Sequence, residues 1–378
     1  MTSVQANDTA AQRPTLRPLP GRHDDLNAEI MTAALRAGGL ADVHVSAIRR
    51  RPIGVGVGMM ASIELVELDY DQGQGPASVV VKLPAVIDSN RAVAEAFDLY
   101  AREVLFYRDL AHLTPACTPK VFFADVVGSS EFMLVLEDLS DYRLGDQLVG
   151  CSVDDARLAM VELGKLHASF WDKVQDGSYD FIPLEIPSTH GTTLREAAGP
   201  TWDAMLQVFP GLVPDEINAQ RDRFLAAIER MQRWMVSDPI TVAHGDFRMD
   251  NIFYGQKPGH ERVAAIDWQG TLRSKGIRDV GHLLSGSVNI EDRRAHEREL
   301  VALWHRTLVE GGVTGYSAEQ AWNDYLRTVL FQWTIVAVIC GSLDASNERA
   351  HAWMSEYIKR SVATVADHDL FSLLPEFE

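Results

Sequence analysis

The stretch His244-Gly245-Asp246-Phe247-Arg248-Met249-Asp250-Asn251, followed by Ile266-Asp267-Trp268-Gln269, decides how this chain is read. Each piece alone is weak: HGD reads as a turn and IDW as a strand end. Together they place two aspartates 21 positions apart with an asparagine between them. A carboxylate beside a hydroxyl can orient it and take its proton. An asparagine and a second carboxylate can hold Mg²⁺ through oxygen. Phosphoryl transfer asks these things of a protein, because its catalysis is alignment and charge neutralisation rather than covalent chemistry. Asp246 is the expected base, and Asn251 and Asp267 are the expected metal ligands.

Upstream, VHVSAIRRR (43–51) and SIELVEL (62–68) alternate apolar and polar residues around a Gly-rich break, so they read as strand, turn and strand. PASVVVKLP (76–84), FFADVVG (122–128) and EFMLVLEDL (131–139) read as further strands, and 92–112 as one helix. Beyond Leu139 the pattern turns helical: 153–171, 215–236, 291–310 and 318–342 carry the 3.6-residue period. The expectation is an α+β chain. Residues 1–22 form a flexible leader, 23–138 a mostly antiparallel sheet lobe with one helix, and 139–378 a larger, mainly helical lobe.

HGDFRMDN resembles the catalytic loop of the aminoglycoside phosphotransferase and choline kinase group, where HGD replaces the HRD of protein kinases. IDWQ stands where protein kinases carry DFG. ELGKLHASFW (162–171) and YAREVLFYRDL (100–110) resemble the ecdysteroid-kinase-like branch and its bacterial relatives, and HGDFRMDN is also similar to kinase domains fused to some acyl-CoA dehydrogenases. The resemblance covers residues 53–284. It implies a bilobal, protein-kinase-like fold and an ATP-dependent, Mg²⁺-dependent transfer to an alcohol.

The same resemblance points to a nucleotide site. Lys82, within an apolar run that implies burial, would reach the α- and β-phosphates and needs a counter-charge. Glu103 is the expected partner, with Glu95 as second choice. The 54–62 segment, with Gly56, Gly58 and Ser62, would bring backbone N–H groups to the phosphates. Glu137 and Leu139 fall where backbone groups would hold the adenine edge. Arg248 would steady the transferred phosphoryl group, the competing view being a salt bridge to Asp250. Asp279 resembles the aspartate that supports the catalytic loop, and His244 and His167 are expected to be structural.

Lys plus Arg total 35 against 53 Asp plus Glu, a net charge of −18. Such a surface repels phosphate backbones, so no nucleic-acid partner is expected. Three scattered cysteines fit neither a disulfide framework nor a zinc site. The N-terminus has no secretory h-region, and the apolar run 328–340 reads as a buried helix rather than a membrane span. A cytoplasmic location is expected. Only 12 positions separate Asp267 from Asp279, which leaves little room for a peptide-docking activation segment, so the acceptor is expected to be small. An apolar alcohol ranks first, ahead of an aminoglycoside or similar antibiotic and a hydroxyacyl thioester. A nucleotide-binding pseudokinase is the alternative from another class.

Overall fold

The computed structural model describes residues 16–54 and 60–378. They form two compact units: the chain up to Arg108 with Pro119–Asp138, and Asp109–Thr118 with Leu139–Glu378.

The first unit holds α1 (Ala28–Ala37), β1 (His44–Pro52), β2 (Ala61–Gln72), β3 (Ser78–Pro84), α2 (Asp88–Ala96), α3 (Leu99–Leu105), β4 (Val121–Val127) and β5 (Glu131–Glu137). The strands make one antiparallel sheet in the order β1-β2-β3-β5-β4. Side chains alternate faces along a strand. In β3 this sends Val79, Val81 and Leu83 into a core shared with Met31 and Leu35 of α1, and Lys82 to the opposite face. The single helix expected over 92–112 is instead α2 and α3, separated at Asp98, which adopts φ 53°. A short acidic side chain tolerates that left-handed conformation better than most. Leu19 is buried in the same core and Arg17 pairs with Asp125 at 2.7 Å, so residues 16–22 of the expected leader lie against this unit.

The second unit contains β6 (Arg143–Leu144), α4 (Val153–Phe170), α5 (Thr189–Val208), α6 (Asp215–Asn218), α7 (Arg221–Met235), β7 (Thr241–Ala243), β8 (Ile252–Tyr254), β9 (Val263–Ala265), β10 (Leu272–Ser274), α8 (Ile277–Gly286), α9 (Ile290–Glu310), α10 (Ala318–Ser342) and α11 (Glu348–Asp367). The helix expected over 215–236 is divided into α6 and α7. By length and apolarity α10 could cross a bilayer, but here it is a core helix packed against α5 and α8. Trp333 of α10 meets Trp202 of α5 edge to face, with ring centroids 5.6 Å apart.

Two small antiparallel ribbons position the chemistry. β7 pairs with β10, and β8 lies between β6 and β9. The 244–251 loop joins β7 to β8, and Asp267 lies between β9 and β10. Pairing of Ile252 with Ala265 brings Asn251 beside Ile266, whose N–H donates to the Asn251 carbonyl at 3.0 Å. Residues distant in sequence therefore meet at the same end of both ribbons.

Candidate active site

The loop leaving β7 turns at Gly245, where φ is +84°. A Cβ there would fall 2.0 Å from the Gly270 carbonyl oxygen, so both the backbone conformation and the close approach demand glycine. Asp279 of α8 anchors the turn. Its buried carboxylate accepts the His244 N–H at 2.7 Å, the Gly245 N–H at 2.9 Å and His167 Nε2 at 3.1 Å. Trp304 Nε1 donates to His167 Nδ1 at 2.9 Å, so His167 carries its proton on Nε2 and is a satisfied core histidine. His244 is likewise buried and structural. Its Nε2 donates to the Ile266 carbonyl at 2.9 Å, and its Nδ1 accepts the Asp246 N–H at 3.3 Å.

Asp246 is one-third exposed, at 33%. Its Oδ2 accepts from Asn251 Nδ2 at 3.0 Å and from Arg248 Nε at 3.3 Å. Burial works to raise its pKa, but the Arg248 guanidinium, with the His282 and His244 imidazoles beside the carboxylate, outweighs it and holds the carboxyl below its ordinary value. Asp246 is therefore ionised at neutral pH. Arg248 also donates to Asp250 Oδ2 at 2.9 Å, so it bridges Asp246 and Asp250. Despite its burial, these carboxylates, with Asp267 beyond them, keep the guanidinium pKa raised. Its charge faces the Trp353 ring at 5.7 Å.

The residues present fit a hard divalent cation. Asn251 spends its amide nitrogen on the Asp246 carbonyl, at 2.9 Å, and on Oδ2, which leaves its amide oxygen to ligate. Asp267, at a left-handed backbone position with φ 64°, would supply a carboxylate. Magnesium characteristically takes few protein oxygens and keeps water and phosphate in its other positions.

In the first unit, Lys82 Nζ lies 2.6 and 2.7 Å from the two Glu103 carboxylate oxygens. Glu103 is fully buried and Lys82 nearly so. Removing one partner of such a pair strands a buried charge at a cost of about 3–5 kcal/mol. Glu95, the second choice, belongs to α2, a different helix from Glu103. Ser62 lies on β2, opposite Leu83 and next to the residue paired with Lys82. Gly56 and Gly58 lie outside the described residues. Glu137 ends β5, its N–H donated to the Lys120 carbonyl at 2.8 Å, so its amide hydrogen is already committed. Leu139 opens the second unit and is buried.

Four further residues surround the loop without any motif to announce them. Gln147, 1% exposed, accepts the Met249 N–H at 3.1 Å through its side chain and donates its own N–H to Asp250 at 2.9 Å. His282 of α8 approaches Asp246 Oδ1 at 3.7 Å. Tyr357 of α11 stacks on His282, and Trp353 lies one helical turn earlier. A helical i,i+3 reading from Asp279 would have found His282. The others come from distant sequence.

The ecdysteroid kinase-like family matches residues 56–312, more than half of the chain. None of the curated proteins matches in sequence. Among solved structures, choline kinase from Cryptosporidium parvum superposes with a TM-score of 0.55 at 11% identity, covering 90% of this chain and 97% of that one. The GDP complex of wild-type aminoglycoside 2'-phosphotransferase-IIIa gives 0.53 at 12% identity, covering 91% and 100%. At such identities these structures establish a shared kinase-like fold.

Proposed function

The chain belongs to the ecdysteroid kinase-like family, whose fold is that of kinase-like phosphotransferases, and from this premise we propose that it moves the γ-phosphoryl group of ATP to a hydroxyl of a small molecule, with Mg²⁺. The observation that carries the reading is the Asp246 carboxylate. It is held ionised, bonded at Oδ2 by Asn251 and Arg248, and still partly open to solvent. In the proposed step the acceptor oxygen bonds to the γ-phosphorus, the bond to the bridging oxygen breaks, ADP leaves, and the hydroxyl proton passes to Asp246. Arg248 would steady the phosphoryl oxygens from its seat between the carboxylates. Asn251 and Asp267 would hold the cation, which neutralises phosphate charge. Lys82, fixed by Glu103, would meet the α- and β-phosphates.

An apolar alcohol is the first substrate class, supported by the Trp353 ring beside Arg248 of the loop. An aminoglycoside or a hydroxyacyl thioester is the alternative. ADP or GDP release from the Mg-nucleotide should be followed across steroids, aminoglycosides, macrolides, choline and hydroxyacyl thioesters. We expect turnover with at least one acceptor, and its loss by at least about 100-fold in Asp246→Ala with nucleotide affinity retained. Full turnover by the variant would remove Asp246 from the role of base. Tight nucleotide binding with no transfer to any acceptor would favour a pseudokinase.

A further inference from the structure

His282 leaves α8 on the same face as Asp279, one turn further on. Its side chain is only 3% exposed, and Nε2 stands 3.7 Å from Asp246 Oδ1. Its Nδ1 is buried with no hydrogen-bond partner. Asp246 and Arg248 face it from the catalytic loop, Arg278 and Asp279 from its own helix, and Tyr357 from α11, with ring centroids 6.1 Å apart. Burial outweighs the neighbouring carboxylates and pushes the imidazole down to about 4, so it is neutral at physiological pH.

A neutral imidazole has one N–H. On Nδ1 the proton would have no acceptor, and the Nε2 lone pair would oppose a carboxylate oxygen. On Nε2 the proton points at Asp246 Oδ1, and electrostatics favours this tautomer. Since Oδ2 is already bonded to Asn251 and Arg248, Oδ1 is the oxygen left to meet an acceptor. It has two lone pairs, one for an imidazole N–H and one for a hydroxyl. The 3.7 Å separation exceeds a hydrogen bond, but catalytic contacts of this kind shorten when substrate binds.

We propose that His282 is a positioning residue whose Nε2–H fixes the Asp246 carboxylate so that Oδ1 is presented to the acceptor hydroxyl. This rests on Asp246 being the base. The test compares wild type, His282→Leu, His282→Gln and Asp246→Ala. It follows Mg-ATP hydrolysis with water as acceptor and transfer to the alcohol the panel returns, with kcat and KM read separately. His282→Leu, similar in bulk but without a donor, should lower kcat by about 10- to 100-fold with the KM for ATP unchanged. His282→Gln, whose amide nitrogen reaches the Nε2 position, should recover most of kcat.

Wild-type kcat in His282→Leu overturns the proposal. So does a folded Gln variant as impaired as Leu. If His282→Leu fails to fold, His282→Asn replaces it: Asn is too short to reach Asp246, should show the same loss, and overturns the proposal if fully active. Asp246→Ala separates the two levels. Turnover retained there overturns the reading of the base, whereas its loss beside a fully active His282→Leu overturns only the histidine's role. No nucleotide turnover by the wild type overturns both.

Discussion

Asp279 gathers two backbone N–H groups and a histidine onto one buried carboxylate, and the turn that carries Asp246 hangs from it. Replacing it with Ala leaves those donors buried and unpaired, at about 1–3 kcal/mol each before relaxation. We expect Asp279→Ala to lower unfolding free energy in urea by about 3–5 kcal/mol and to cost turnover with it. The carboxyl also has a pH signature. Burial tends to raise its pKa, but His167, His244 and the Gly245 N–H prevail and hold it below its ordinary value. A group depressed in this way contributes stability above its unfolded pKa, about 3.9, and loses that contribution as pH falls through the folded value. Asp279→Asn, tested by urea midpoints from neutral pH down to about pH 3, should therefore show a shallower acid decline than wild type. Parallel curves would show that another group carries the acid sensitivity.

At the scale of elements, the strands and the amphipathic helices were legible because each shows one face to a core, and a face has a period. α8 was not: it is only ten residues long, and its polar face, with Arg278, Asp279 and His282, is buried along with the apolar stripe of Ile277, Val280, Leu283 and Leu284. α5 carries Pro200 within its span, which reads as a break. Its contact with α10 depends on glycine: a Cβ on Gly341 would lie 2.0 Å from the Thr201 carbonyl oxygen. Backbone cannot yield as a flexible side chain does. Gly341→Ala should force the two helices apart and lower stability by about 1–3 kcal/mol, read as a lower thermal or urea midpoint. An unchanged midpoint would mean the helices are not in close contact there.

Over the whole molecule, acidic side chains outnumber basic ones and leave a net charge of −18. Self-repulsion of that size opposes compact packing and is screened by salt. Between about 0.01 M and about 0.15 M salt the Debye length shrinks from about 30 Å to about 8 Å. The thermal midpoint should rise over that interval. A fall would show that the surface ion pairs, such as Arg49 with Glu67 and Asp69, contribute more than the net repulsion costs.

The amino-acid sequence by itself determined the groups within one short loop and the strands that carry them. Asp246, Arg248 and Asn251 fall within six positions, and the unbroken run of Val79, Val80, Val81 and Leu83 in β3 marks Lys82 as a charge inside an apolar stretch. Such signals are local, so they survive without coordinates. Only the tertiary structure decided which acid Lys82 meets, because a left-handed residue at Asp98 ends the helix of Glu95 and begins that of Glu103. Only the tertiary structure brought His282, Gln147, Trp353 and Tyr357 around the 244–251 loop. Their placement follows from buried helices packing side by side, a property of many distant residues together that no single stretch of sequence encodes.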